Sequence, residues 1–279
     1  MALEPTARFR GGTGTPLLLL HAGWTCWQIW MPVLERLAQE RDVLAPTMLG
    51  HLGGPPITTD RPPSFENLVA HVESEMDAAG FGEVDIVGNS IGCLVAFELA
   101  RRGRARSVIA LCPEGKQTNW HGLTLAARGL LTHEVARRFR KLGMRALRFP
   151  FLRKLLLRDA SARGQRVPLE LAEHLLEAVG FCDVLETFRA NWRTASEGRI
   201  ADVSAIACPV YFIWGENDTF VLAEEMRRYR ADLPDARYLA IPDCGHCPQL
   251  DHPELVAGEI LAFTGGAKSA RQQVPAASR

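Results

Sequence analysis

The chain has 279 residues, 47% of them hydrophobic and 23% charged, enough for one large domain with an insertion and outside the compositions of disordered, collagen-like or coiled-coil proteins. Thirty-two basic and 32 acidic residues cancel, so no global field recruits nucleic acid, which is not an expected partner. Seven cysteines, an odd number in mainly apolar contexts such as Cys93, Cys112 and Cys208, argue against a disulfide framework.

The first ten residues lack the apolar stretch of a signal peptide, and the longest apolar run, 84–100, is interrupted by Asn89, Ser90 and Glu98. The expected compartment is therefore the cytoplasm. Along the chain, apolar runs bounded by turn residues predict strands at 16–21, 43–45, 84–88, 107–112, 210–214 and 237–241. Helical spacing of apolar residues appears at 27–39, 64–79, 91–102, 222–232 and 254–263. Ser64 with Asn67, and Asp251 with Glu254, read as helix starts. The alternation predicts an α/β fold, a mostly parallel sheet flanked by helices. It fails between 114 and 202, where helices separated by Gly143, Pro150, Gly164-Gln165, Pro168 and Gly180 occur without a strand. The expected organisation is a core of 1–113 and 203–266, an inserted helical lobe at 114–202, and a small, polar, disordered tail at 267–279.

The stretch Val84-Asp85-Ile86-Val87-Gly88-Asn89-Ser90-Ile91-Gly92 reads as a buried strand, a tight turn centred on Ser90, and a helix from Ile91. Glycines two positions either side of the serine remove side chains that would collide with neighbouring strand and helix. The turn also sets the Ile91 amide at a helix N-terminus, facing any negative charge that develops on a substrate oxygen. A serine hydroxyl needs a base, normally a histidine oriented by a carboxylate. Asp218 follows the strand ending in Trp214-Gly215, and His246 follows the strand ending in Ile241-Pro242. Both lie at carboxyl ends of predicted parallel strands, where such sheets gather their active-site groups. The order Ser, Asp, His differs from that of the chymotrypsin and subtilisin types.

From Thr15 to Phe263 the chain resembles the α/β-hydrolases with a helical cap, similar to esterases, perhydrolases and hydrolases of diketone carbon–carbon bonds. The matching stretches are Leu18 to Trp24, the Ser90 turn, Trp214-Gly215-Glu216-Asn217-Asp218, and Cys244-Gly245-His246 with Asp251-His252-Pro253-Glu254. The resemblance implies a Ser90, Asp218, His246 triad acting on a small carbonyl substrate, with no metal or organic cofactor. It implies an oxyanion hole of the Ile91 amide and a second amide, Gly23, with Trp24 as the alternative, and a bracing role for His21. Glu114 is an alternative triad acid. An aspartate nucleophile, as in dehalogenases and epoxide hydrolases, is excluded by Ser90. The chain departs from the family pattern at Ala22, where glycine is usual, and at Thr47 to Gly54, which lacks the usual aspartate. The segment before Pro16 is short, so the family's first hairpin is expected to be truncated.

Three other readings stand beside this one. Cys244-Gly245-His246-Cys247 matches the dithiol oxidoreductase motif, but it follows a late strand and is succeeded by Pro248 and Pro253, which leave little helix to lower a thiol pKa. No second Cys-x-x-Cys or His pair supplies a zinc site. A regulatory redox role for the two thiols stays open. Residues 135–158 hold many Lys and Arg and no acid, interleaved with Leu142, Met144, Leu147, Phe149, Phe151 and Leu155 to Leu157. The expectation there is a helix pair with solvated charges, and the sharper alternative is a basic amphipathic surface that meets anionic lipid or an acidic substrate. A non-catalytic ligand-binding protein on the same fold is the third class.

Overall fold

A computed structural model describes residues 3–60, 64–117, 119–182 and 202–271. The predicted apolar runs become β2 (Thr15–Leu20), β3 (Arg41–Pro46), β4 (Val84–Asn89), β5 (Ala105–Leu111), β6 (Val210–Gly215) and β7 (Arg237–Ile241), and one further strand, β1 (Arg8–Gly11), precedes them. They form a seven-stranded sheet in the order β1-β3-β2-β4-β5-β6-β7. All pairings are parallel except that of β1, which runs antiparallel to β3. The segment before Pro16, expected to be too short for the family's hairpin, thus does supply an edge strand.

Successive side chains of a strand point to opposite faces, and here each face feeds its own apolar layer. Leu18, Leu20, Ile86, Val108, Ala110 and Phe212 join one layer, with residues of α2 (Phe65–Ala78), α3 (Ile91–Arg101) and α8 (Ala223–Asp232). Leu17, Leu19, Val87, Ile109, Tyr211 and Ile213 join the other, with α1 (Met31–Ala38) and α10 (Pro253–Arg271). Burial on both faces is why these strands read as continuous apolar runs.

The helix expected over 27–39 divides into a 3-10 turn at Trp27–Trp30 and α1, with Pro32 in the first turn of α1, where a missing N–H costs nothing. Ser64 caps α2 as predicted, its side chain accepting from the Asn67 N–H at 3.1 Å. The last helix continues through Arg271, beyond the boundary expected at 266. Residues 267–271, Ala-Lys-Ser-Ala-Arg, contain no helix breaker, and the rest of the expected tail, 272–279, lies outside the described residues.

Between β5 and β6 the described residues form α4 (Asn119–Arg138), α5 (Arg140–Leu147), α6 (Pro150–Leu156) and α7 (Leu169–Phe181), and no strand. Leu147, Leu171 and Leu175 join the second apolar layer, which also contains Trp30 and Cys247. The short α9 (Pro248–Asp251) precedes α10. No helix of the described residues is long and apolar enough to cross a membrane.

A buried ionic knot closes the end of the sheet away from Ser90. Asp85, fully buried at the start of β4, accepts from Arg41 at 3.1 Å, Arg106 at 2.6 Å and the Ser107 hydroxyl at 2.8 Å. Arg41 also donates to Thr264 of α10. A buried carboxylate is tolerated only when paired and hydrogen-bonded in this way.

Candidate active site

Ser90 stands at the carboxyl end of β4 with φ 58° and ψ −119°, a left-handed conformation that a non-glycine residue holds only when its surroundings impose it. The surroundings do so through backbone contact. A Cβ on Gly92 would lie 2.4 Å from the Leu20 carbonyl oxygen, so α3 can start this close to β2 only with glycine there. The Ser90 N–H donates to the Leu111 carbonyl at 3.0 Å, and the Cys93 N–H donates to the Ser90 carbonyl at 2.9 Å. Asn89, the neighbouring residue, donates through Nδ2 to the carbonyls of Leu111 and His246, each at 3.0 Å, and accepts from Gln249 at 3.0 Å. The turn is thereby joined to the loop that carries His246.

Asp218 and His246 follow β6 and β7, whose register pairs Gly215 with Ile241. Asp218 Oδ1 accepts from the Phe220 and Val221 N–H groups at 2.7 and 3.0 Å. Its Oδ2 accepts from His246 Nδ1 at 2.8 Å, and both residues are buried. A carboxylate fixed by two backbone donors holds the imidazole in one orientation and one tautomer. Burial alone would lower the His246 pKa, but the charge and hydrogen bond of Asp218, aided by Glu114, raise it above the ordinary histidine value. The Phe220 ring packs 4.9 Å from the imidazole.

The Ser90 hydroxyl donates to Glu114 Oε1, and the Glu114 carbonyl accepts from the Tyr229 hydroxyl. Glu114, the alternative acid of the sequence reading, is therefore partnered with the serine, while the imidazole Nδ1 is taken by Asp218. A second acid, Glu225, is pushed up to about 7, chiefly by burial, with the Asp218 and Glu114 charges adding. Its Oε1 meets His121 Nδ1 at 2.7 Å, and burial lowers the His121 pKa. Both shifts favour a neutral pair over an ionic one.

Of the two expected oxyanion donors, Ile91 opens α3, and a Cβ on Gly23 would lie 3.7 Å from Ile91 Cγ2, so the two segments adjoin. Trp24 takes φ 62° and turns its ring toward Phe220, 6.0 Å away. His21 is fully buried and structural in its bonding. Its Nε2 accepts from the Met48 N–H at 2.9 Å, which leaves Nδ1 to donate to the Ala22 carbonyl at 2.8 Å. Burial holds its pKa well below the ordinary value.

Sequence reasoning missed Cys112, Asn89, Phe220 and Arg128. Cys112 follows β5 with φ 48°, and its sulfur, an Asp218 oxygen and a His246 nitrogen lie within 4.8 Å of one another. A metal there would need a thiolate, yet burial pushes this thiol well up, and Asp218 and His246 already satisfy each other. Arg128 of α4 stacks over the Phe220 ring at 4.3 Å and donates to Thr219 at 2.9 Å. Asn89 had a signal in its place beside Ser90; the others are set by tertiary contact.

Cys244 and Cys247 are buried, and burial raises both thiols, the reverse of the electropositive, accessible setting of a reactive cysteine. Asp251 was read as a helix start, but its carboxylate is otherwise engaged. It accepts from the Gly245 N–H at 2.7 Å, Ala162 N–H at 3.0 Å, Arg163 N–H at 2.9 Å and the Ser161 hydroxyl.

With this geometry in place, comparison with known proteins gives the class. The alpha/beta hydrolase family model matches residues 17–259. The chain belongs to the alpha/beta hydrolase family and is a hydrolase. It is 31% identical over 200 residues to the epoxide hydrolase EphH of Mycobacterium tuberculosis, spanning 70% of this chain and 92% of that one. It is 26% identical over 256 residues to the 2-hydroxy-6-oxo-2,4-heptadienoate hydrolase of Pseudomonas putida, spanning 86% and 85%. Among solved structures it is similar in fold to a meta-cleavage product hydrolase from Pseudomonas fluorescens, with TM-score 0.71 at 21% identity over 93% of this chain and 94% of that one.

Proposed function

We propose that the chain is a serine hydrolase of small carboxylic ester-like substrates, with Ser90 as nucleophile, His246 as base and Asp218 as its orienting acid. The observation that carries this reading is the buried 2.8 Å contact between His246 and Asp218, on a loop tied through Asn89 to the strained turn of Ser90. In this scheme the Ser90 hydroxyl leaves Glu114 and gives its proton to His246 Nε2 as its oxygen attacks the carbonyl. The Gly23 and Ile91 amides stabilise the tetrahedral oxyanion. The imidazolium protonates the leaving alcohol, and a water deprotonated by His246 then releases the acid from the acyl-enzyme. The core at 1–113 and 203–266 carries these steps, and the lobe at 114–202 roofs the substrate.

A fluorophosphonate probe tests the reading directly. Labelling of Ser90 in the folded protein, abolished by Ser90→Ala together with turnover of nitrophenyl esters, is the expected result. Loss of the nucleophile costs about a million-fold in such enzymes. An unlabelled Ser90, or a Ser90→Ala protein of undiminished turnover, refutes it and leaves a non-catalytic binder.

A second reading is hydrolysis of a carbon–carbon bond in a diketone by the same triad. It is favoured by the relatives named 2-hydroxy-6-oxo-2,4-heptadienoate hydrolase and 2-hydroxymuconate semialdehyde hydrolase. Assaying esters of increasing acyl length beside a ring-cleavage diketone separates the two. The name of the epoxide hydrolase relative does not transfer as readily, because the resemblance expects an aspartate where this chain has Ser90.

A further inference from the structure

Residues 135–158 hold nine Lys and Arg and no Asp or Glu. If the segment were a helix pair with solvated charges, the apolar residues between those charges would turn inward. Leu147 and Leu157 do. Leu142, Phe149 and Phe151 do not, being 64%, 63% and 76% exposed, and Phe139, Leu155 and Leu156 are exposed beside them. The basic side chains divide in a matching way. Arg137 pairs with Glu134 and Arg140 with Glu177, Arg158 approaches Asp159, and Arg153 donates to backbone carbonyls. Arg138, Lys141, Arg145, Arg148 and Lys154 are exposed and have no ion pair among the described residues.

We propose that α5, α6 and the turn between them dock on an anionic lipid bilayer, with Leu142, Phe149 and Phe151 entering the headgroup boundary and Arg145, Arg148 and Lys154 meeting lipid phosphates. Charge complementarity selects this occupant. A second copy apposed by the same face would set like charges against each other. A nucleic acid would neutralise the cations and stack bases on the phenylalanines, but it offers the exposed Leu142, Leu155 and Leu156 no apolar interior. A bilayer surface supplies both, since basic side chains hold the anionic plane while large apolar ones sink below it.

Cosedimentation of the full chain with vesicles tests this. Binding at low ionic strength to vesicles of equal parts phosphatidylglycerol and phosphatidylcholine, weak binding to phosphatidylcholine alone, and release by added salt are expected. Arg148→Gln with Lys154→Gln should weaken binding about 25-fold, taking about fivefold for each basic residue near the surface. Phe149→Ser with Phe151→Ser should weaken it about tenfold or more, and unchanged melting temperatures would show that both variants fold. No binding to anionic vesicles at low salt overturns the proposal. So does a phenylalanine variant that binds as well as the native chain, which would mark simple polyanion binding. A dimer in sedimentation velocity that the phenylalanine variant dissociates would assign the face to a second copy instead.

Discussion

At the β4–α3 turn a polar residue is buried and its neighbours are fixed by backbone contact, whereas along α5 and α6 phenylalanine and leucine stand in solvent beside exposed basic side chains. Both arrangements run against the ordinary distribution of residues, in opposite senses. In the first, the buried polar side chains hold one another: Ser90 has Glu114, Asn89 has Gln249 and two carbonyls, and His246 has Asp218. In the second, Leu142, Phe149 and Phe151 are exposed, and Lys141, Arg145, Arg148 and Lys154 have no ion pair among the described residues. One region buries polar groups against partners of its own; the other leaves large apolar side chains in solvent.

Asp218→Asn tests the completeness of the turn most severely. Turnover is expected to fall about 10⁴-fold, because the amide no longer holds the productive tautomer. Since Asp218 raises the His246 pKa, its removal lets the imidazole lose its proton at lower pH. The acid limb of the residual kcat/KM profile should therefore move to lower pH, which stopped-flow or steady-state rates across pH would show. Gly92→Ala comes next. Its Cβ would meet backbone, not a flexible side chain, and a loss of about 3 kcal/mol is expected in urea unfolding. At the other extreme, Phe151→Ser should change the unfolding free energy by no more than about 0.5 kcal/mol. A larger loss would mean that Phe151 supports the fold, and the contrast between the two regions would dissolve.

Much of this architecture was legible in the sequence. Five of six predicted strands lie within two residues of their observed ends and the sixth, 237–241, coincides with β7, because strands buried on both faces leave unbroken apolar runs. β1 left no such run: Arg-Phe-Arg-Gly alternates over four residues and is a strand only because β3 offers it an edge. The Ser90, Asp218 and His246 positions followed from strand ends and order, but the Ser90 contact with Glu114 did not. It arises because β5 lies beside β4, a pairing between residues 24 apart in sequence. Likewise, the spacing of apolar residues in 135–158 announces a stripe and says nothing of what faces it, so the exposure of Phe149 and Phe151 appeared only in three dimensions.

The carboxylate of Asp251 joins two parts of the chain that the sequence keeps far apart, the 161–163 segment beyond α6 and the loop of His246. Four hydrogen bonds converge on one side chain there, two of them from consecutive amides. To lift the helices off the sheet at this point would strand a buried anion, so the junction behaves as a rivet. A displacement of the 161–163 segment would therefore be felt at the loop that carries His246, which shares the same carboxylate.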